Sequence, residues 1–378
     1  MLAICGYDVF VPLVSIEVPG QPLCRYDARI ESGALARAGE LIAALDAKRK
    51  RCFVVAAPPV RKHWADALLG SLTKVGVEPV LLEMADGERH KNLDSISSLA
   101  TRMVQRGADR GALLVALGGG VVGDVTGLLA SLFMRGVEYV QIPTTVLAQL
   151  DASIGGKTGV NLAAGKNLLG TFHHPRLVIA DPETLRTLPE REFRSGLFEG
   201  VKCGVIRDAE IFRYMETNRD RILQRDREAL EWIITASVRV KAEVVAADER
   251  EGGLRRILNF GHTIGHALEA ETNYKEFLHG EAVAWGMVAA SLIASGMQRT
   301  DAELARRVIS QVLAYAPLPK VDVKGKRIAK RLLADKKTRN GVVHFVLPVE
   351  LGKVEVVPDV PERAVIQAVE ELRYLSQA

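Results

Sequence analysis

Up to about residue 185 the chain alternates short β-branched runs with helical stretches; the runs are Cys52–Ala56, Pro79–Glu83, Ala112–Leu117, Tyr139–Ile142 and Leu177–Ala180. Strands separated in this way by helices predict a mostly parallel sheet with helices over it. After Pro189 the period lengthens to that of amphipathic helices, over Glu190–Val205, Asp208–Asn218, Arg227–Asp248, Gly261–Thr272, Glu281–Gly296 and Ala302–Ala314. Two late runs, Val342–Leu347 and Lys353–Val357, predict a small hairpin carried on the helical part. The pattern thus divides the chain into an α/β domain, residues 1–187, and an all-α domain, residues 188–378. The most apolar run, Ala282–Met297, is too short to cross a bilayer and reads as a buried helix.

A chain of 378 residues, 48% of them hydrophobic, is long enough to bury two cores. Its net charge of +4 is small and its basic residues are dispersed, so nucleic acid is not an expected partner. Cys5, Cys24, Cys52 and Cys203 stand far apart with no CxxC, which fits reduced thiols in a cytoplasmic protein. Asp8 lies within the apolar start and no basic leader accompanies it, so neither a secretory signal nor a membrane partner is expected.

The chemistry concentrates in Asn259-Phe-Gly-His262-Thr-Ile-Gly-His266 and Leu278-His279-Gly-Glu281, three histidines and an acid in an apolar stretch. If Gly261–Ala270 is helical, His262 and His266 lie on one face and reach a single point. A single histidine there would read as a satisfied core group. Three of them, with Glu199 and Lys202 upstream, read as a metal and proton-transfer centre. Carboxylate and imidazole donors suit a catalytic zinc-like ion with open positions better than a closed structural site.

Gly118-Gly119-Gly120-Val121-Val122-Gly123 matches GxGxxG between a predicted strand and a predicted helix. It reads either as a tight turn or as a Rossmann-like dinucleotide site, in which free N–H groups at the helix start face a phosphate. The next strand ends at Pro143-Thr144-Thr145 without the acid that usually takes the ribose hydroxyls, so a bound dinucleotide has its ribose held differently. Gly156-Lys157-Thr158 resembles the end of a P-loop, but Asp151 stands where its first glycine belongs, which disfavours nucleoside-triphosphate hydrolysis. Lys157, Lys166 and Asn167 among glycines suit a phosphate or carboxylate ligand, or else a solvated loop.

Longer motifs carry a family resemblance. They are Leu117-Gly-Gly-Gly-Val-Val-Gly-Asp124, Phe133-Met-Arg135-Gly, Pro143-Thr-Thr-Val-Leu-Ala-Gln-Leu-Asp151-Ala-Ser-Ile-Gly-Gly-Lys157 and Gly165-Lys166-Asn167-Leu-Leu-Gly. Thr187-Leu-Pro-Glu-Arg-Glu, Asp248-Glu-Arg-Glu251-Gly-Gly-Leu-Arg255, Leu258-Asn259-Phe-Gly-His262 and His279-Gly-Glu-Ala-Val-Ala follow in order. Together they resemble 3-dehydroquinate synthase, from about residue 86 to 352.

The resemblance implies a cyclase of the shikimate route that uses NAD catalytically, with a divalent metal, zinc or cobalt, and a phosphorylated sugar acid as substrate. It implies Glu199, His262 and His279 as metal ligands, which departs from the His262–His266 pairing that spacing suggests. His266 stays off the metal and joins Glu251 in proton transfer. Arg135, Lys157, Asn167 and one of Lys336 and Lys337 are implied for phosphate, with Arg135 reaching across a homodimer interface. Lys202, Lys241, Arg255 and Asn259 are implied for the sugar acid, and Asp151 for the catalytic set. For NAD the matching positions are Asp86, Gly87, Glu88, Lys91, Gly119 to Asp124, Thr144, Thr145, Lys157, Lys166, Thr184, Leu185, Arg186 and Thr187.

The chain departs from the family at Val54-Val-Ala-Ala-Pro, where an acid and an asparagine are usual, and at Phe198 and Gly200, where Ala and Val are commoner. Cyclases using sedoheptulose 7-phosphate, polyol dehydrogenases of the glycerol dehydrogenase type, and non-catalytic binding proteins are the competing readings. Asn259, Arg255 and Lys241 argue against the first, the Gly-Lys-Asn loop against the second, and the intact ligands and bases against the third.

Overall fold

The computed structural model describes residues 25–46, 51–338, 342–358 and 360–377. Asp8, Cys5 and Cys24 lie outside them, and so do the side chains of Lys336 and Lys337. The first half carries eight strands, β1 (Asp27–Ile30), β2 (Arg51–Ala56), β3 (Glu78–Glu83), β4 (Leu113–Gly118), β5 (Glu138–Pro143), β6 (Lys157–Leu162), β7 (Gly165–Phe172) and β8 (Leu177–Ala180). Between them run α1 (Ala38–Ala43), α2 (Pro58–Val60), which continues through a π turn into α3 (Asp66–Lys74), α4 (Leu93–Gln105) and α5 (Gly120–Leu132).

Six strands form one sheet in the order β1-β8-β5-β4-β2-β3, each pair parallel. Strands covered on both faces need apolar residues at successive positions, and β4 is buried along its whole length. Phe53, Val55, Leu114 and Ala116 enter one core with α4 and α5, while Val54, Leu113 and Val115 enter a second with α1 and α3. The chain leaves β2 for the edge strand β3 and returns on the other side of β2 as β4. Their carboxyl ends therefore flank a topological switch point, where such sheets open a crevice for ligands.

The second half is helical: α6 (Glu190–Ile206), α7 (Ala209–Thr217), α8 (Arg219–Leu223), α9 (Arg227–Ala247), α10 (His262–Glu271), α11 (His279–Gly296), α12 (Ala302–Ala314), α13 (Gly325–Thr338) and α14 (Glu362–Leu375). The expected hairpin, β9 (His344–Glu350) with β10 (Lys353–Pro358), packs on it. The run Ala282–Met297 forms most of α11 and is largely buried, and no helix among the described residues is long and apolar enough to cross a membrane.

The glycine-rich stretch from Lys157 to Phe172 is not a loop. It folds as a two-stranded antiparallel hairpin, β6–β7, outside the main sheet. At Gly170 a Cβ would come 2.1 Å from the Thr158 carbonyl oxygen, so the close pass of the two strands requires glycine there.

Candidate active site

Three helices converge on one carboxylate. Glu199 on α6 is fully buried. Its Oε1 has no hydrogen-bond donor, yet it faces Nε2 of His262 and Nε2 of His279, each 3.9 Å away. The other nitrogen of each ring is engaged: His262 Nδ1 lies 3.1 Å from the Phe260 carbonyl oxygen, and His279 Nδ1 lies 3.4 Å from Glu269 Oε2. Carbonyl and carboxylate only accept, so both rings carry their proton on Nδ1 and turn the lone pair of Nε2 inward. Burial, with the charges of Lys202, His266 and His279 behind it, holds the His262 imidazole well below its ordinary pKa, so it is neutral. Burial would also lower His279, but Glu269 and Glu199 outweigh it and raise that ring.

An orphaned carboxylate oxygen with two imidazole lone pairs around it fits a divalent metal. His266, one turn along α10, is exposed, with its ring centred 5.2 Å from His262 and 5.7 Å from His279. The three imidazoles thus also form a compact set, with ligand atoms within 4.8 Å of one another. All four side chains named from the sequence are therefore adjacent, and distances alone do not choose between them.

Glu281, grouped with the histidines in the sequence, does other work. Its carboxylate accepts from the Leu278 amide and from Arg191, pinning the start of α11 to α6. The helices can approach because Gly280 has no side chain: a Cβ there would sit 1.9 Å from the Ser195 carbonyl oxygen on α6. Because the obstacle is backbone, relief requires moving α11. Gly280→Ala is expected to cost about 1–3 kcal/mol as an overpacking change and to weaken metal retention. Wild-type melting temperature and metal content in that variant would refute this account of the site's assembly. Phe198 and Gly200, the two departures on α6, both face the core, Gly200 against Met215 and Ile233, and the spacing from Glu199 to Lys202 is kept.

Beside the carboxylate lies a set of buried and half-buried charges. Lys202, 1% exposed, pairs with Glu199 and lies 3.9 Å from Asp151 Oδ1. Lys241 from α9 reaches the same Asp151, at 2.9 Å to Oδ1 and 2.7 Å to its carbonyl oxygen. Burial would raise the Asp151 carboxyl, but Lys241 and Lys202 outweigh it and hold it well below the carboxylate range. Burial lowers Lys241, whereas Glu199 and Asp151 overcome burial and raise Lys202. At the rim Glu251 bonds Lys157, from β6, and accepts from Asn259 Nδ2 at 2.8 Å. These partners outweigh burial and keep Glu251 below its ordinary pKa, an ionised carboxylate able to take a proton.

Arg255 is anchored on backbone carbonyls. It is 2% exposed, and its Nη atoms donate to the Glu249 and Gly155 carbonyl oxygens. These two bonds brace the segment bearing Glu251 and the turn before Lys157, while Nε is buried without a partner. Arg135 stands exposed after α5; it and Met134 take left-handed conformations, φ 73° and 48°.

The glycine turn joins β4 to α5 as expected. Gly119 caps α5 with no side-chain acceptor on the first N–H groups, leaving them for an anion. Lys91, buried, ties Asp124 in that helix to Asn167 on β7, at 2.5 Å each. Burial, more than Lys91 offsets, raises the Asp124 carboxyl. Glu88 Oε1 accepts from Asn161 Nδ2 at 2.8 Å, and Asp86 and Gly87 are exposed beside it. Thr144 follows β5 with its hydroxyl buried and without a partner, while the Thr145 hydroxyl accepts from the Ala148 amide. The β2 end is apolar, with Ala56 and Ala57 buried.

Some positions named for the cofactor face inward. Val122 and Leu185 belong to cores, and the Thr184 hydroxyl is occupied by Asp181 and Gln149. Thr187 accepts from Trp64, and Arg186 pairs with Glu183. Lys166 pairs with Glu269, at 3.1 Å. Glu269 itself was missed in the sequence; its one signal is a position two turns beyond His262 on the same helix. Burial would raise it, but His279 and Lys166 outweigh burial and hold it down to about 2.

Known proteins are similar to this chain in sequence and fold. Residues 81–195 match the model of the 3-dehydroquinate synthase N-terminal domain, and residues 196–338 match that of the C-terminal domain. A 3-dehydroquinate synthase of Koribacter versatilis is 62% identical over 93% of the chain and 96% of its own length. One of Solibacter usitatus is 48% identical over 95% and 98%. A 2-epi-5-epi-valiolone synthase from Streptomyces hygroscopicus, solved with NAD+ and Zn2+ bound, superposes with a TM-score of 0.85 at 31% identity, covering 95% of this chain and 99% of that one. A protein of Sinorhizobium meliloti described as "a probable glycerol dehydrogenase", at 16% identity and a TM-score of 0.64 over 93% and 97%, shares the fold.

Proposed function

The chain belongs to the 3-dehydroquinate synthase family, and on that premise we propose that it converts 3-deoxy-D-arabino-heptulosonate 7-phosphate to 3-dehydroquinate and phosphate, a step of the shikimate route to aromatic amino acids. The observation that carries this reading is the grouping of an orphaned Glu199 oxygen, inward-facing histidines and paired lysines beside a glycine turn that opens a helix. The substrate's secondary alcohol is oxidised, phosphate is eliminated, the ketone is reduced back and an aldol step closes the ring. NAD, when bound, supplies a hydride acceptor that returns what it takes, and a divalent zinc or cobalt ion supplies a Lewis acid.

The protein's own groups supply the rest. Glu199, His262 and His279 are the assigned metal ligands, and the α5 turn with Lys91, Asp124 and Thr144 the assigned cofactor site. Lys157 and Asn167 offer donors to the leaving phosphate. Glu251, held ionised, accepts a proton, and His266, on the open side of the cluster, shares in proton transfer. An ammonium has three donors; Lys241 uses two on Asp151, which leaves one for a hydroxyl or carboxylate.

Dimerisation is supported by apolar side chains left exposed on α5 and on the hairpin beside it. They are Leu132 at the end of α5, Met134 just after it, and Leu162, Leu168, Leu169 and Phe172 on the hairpin that packs on α5. A cytoplasmic location is supported by the buried free thiols of Cys52 and Cys203. A domain division at residues 187 and 188 follows the change from strands to helices.

The test is phosphate release from the heptulosonate phosphate with no net NADH. Sedoheptulose 7-phosphate, with a hydroxymethyl in place of the carboxylate, loses a charged partner worth about 2–5 kcal/mol, so its kcat/KM is expected to be at least ~30-fold lower. Comparable turnover of the two sugars would assign the chain to a different cyclase, and accumulating NADH to a dehydrogenase.

A further inference from the structure

We propose that Glu269 is a positioning residue for His279 and that, through Lys166, it links the metal centre to the hairpin of the α/β half. The inference rests on the metal-centre reading above. Glu269 lies two turns beyond His262 on α10, and its carboxylate is 3% exposed. One oxygen, Oε2, faces His279 Nδ1 at 3.4 Å, while Oε1 takes Lys166 Nζ at 3.1 Å. Lys166 sits on β7, and its ammonium also lies 4.2 Å from the centre of the Tyr274 ring. Tyr274 and Asn273 hold left-handed conformations, φ 58° and 52°, and the Tyr274 amide donates to the Glu269 carbonyl oxygen at 2.7 Å.

A buried carboxylate is costly unless paired, and Lys166 alone would satisfy that need. The second oxygen is instead aimed at the ring nitrogen that points away from Glu199. A carboxylate there fixes the proton on Nδ1, sets the ring plane and makes Nε2 a stronger donor of its lone pair. His262 gets the same service from the Phe260 backbone carbonyl, which no substitution removes. For His279 the partner is a side chain and is open to test. The ordered Tyr274 turn, unusual for two consecutive residues with side chains, holds the far side of Lys166 and limits where Glu269 can be pulled.

The experiment uses the full chain freed of metal and without added NAD. Zinc affinity is measured by chelator competition, and the cobalt-substituted protein is compared by visible absorption, for Glu269→Gln, Glu269→Ala, Lys166→Gln and His279→Ala. Losing a second-layer partner of a metal-bound histidine typically costs about 10–100-fold in affinity, the loss expected for Glu269→Ala. Glu269→Gln, which keeps an acceptor oxygen, should lose less, and Lys166→Gln less again. The cobalt bands should shift in both Glu269 variants while circular dichroism of the metal-free proteins stays that of wild type. Wild-type zinc affinity and an unchanged cobalt spectrum in folded Glu269→Gln and Glu269→Ala would overturn the proposal, provided His279→Ala loses metal. If His279→Ala also binds zinc as wild type does, the metal-centre reading itself falls.

Discussion

His279→Ala is expected to yield a folded protein that has lost its metal and its turnover. His279 contributes one of the two imidazole lone pairs facing Glu199 Oε1, at 3.9 Å, and it stands at the first position of α11, where truncation to alanine suits the helix. Outer partners of metal ligands are worth about 10–100-fold in affinity, so a direct ligand should cost more than ~100-fold. Glu199→Gln would remove a ligand too, but it would also leave Lys202 buried with one anion fewer, a loss of about 3–5 kcal/mol that could be mistaken for metal loss. The measurement is metal content after dialysis, with turnover and circular dichroism on the same sample. Full stoichiometry and full activity in His279→Ala would remove His279 from the centre.

His266→Ala is expected to do the reverse, keeping its metal while losing rate by about 10²–10⁴-fold, the usual share of a positioned acid or base. The competing assignment is concrete, because His262, His266 and His279 present ligand atoms within 4.8 Å of one another. Two features favour the proton-transfer role. Glu199 Oε1 is equidistant from His262 and His279, and both of those rings have Nδ1 committed elsewhere, whereas His266 stands on the exposed side. Zinc content and single-turnover rate of the variant decide it. Metal lost in step with activity would mean that His262 and His266 chelate together.

The strands β2, β3, β4, β5 and β8 and the helices from α6 to α12, apart from the short α8, were legible because their apolar runs have a period and a length. β1 was not, since Asp-Ala-Arg-Ile is short, half exposed and at the sheet edge. The β6–β7 hairpin was hidden by its own glycines, which serve strand contact at Gly170 and so resemble a phosphate loop in composition. Helix α13 is so rich in Lys and Arg that its apolar stripe is thin. At the site, helix spacing placed His262 and His266 on one face but could not say what stands opposite. The pairing of Lys241 with Asp151, ninety positions apart, depends on how two halves dock and leaves no periodic trace. Glu281 and Glu269 show the same limit in opposite directions: one, inside the motif, is a helix clamp, and the other, two turns along the histidine-bearing helix, faces His279.

The quartet of Lys202, Lys241 and Glu199, all buried, with the partly exposed Asp151 carries two positive and two negative charges, so this set is balanced before any ion enters it. A divalent cation added to such a set brings an uncompensated double charge into a low-dielectric place, and an anionic sugar phosphate brings the opposite. Each then lowers the cost of the other's arrival, and thermodynamic linkage makes the favour equal in both directions. Metal would accordingly be held most tightly during turnover and be shed mainly by idle molecules, so that the substrate acts as the guardian of its own catalyst.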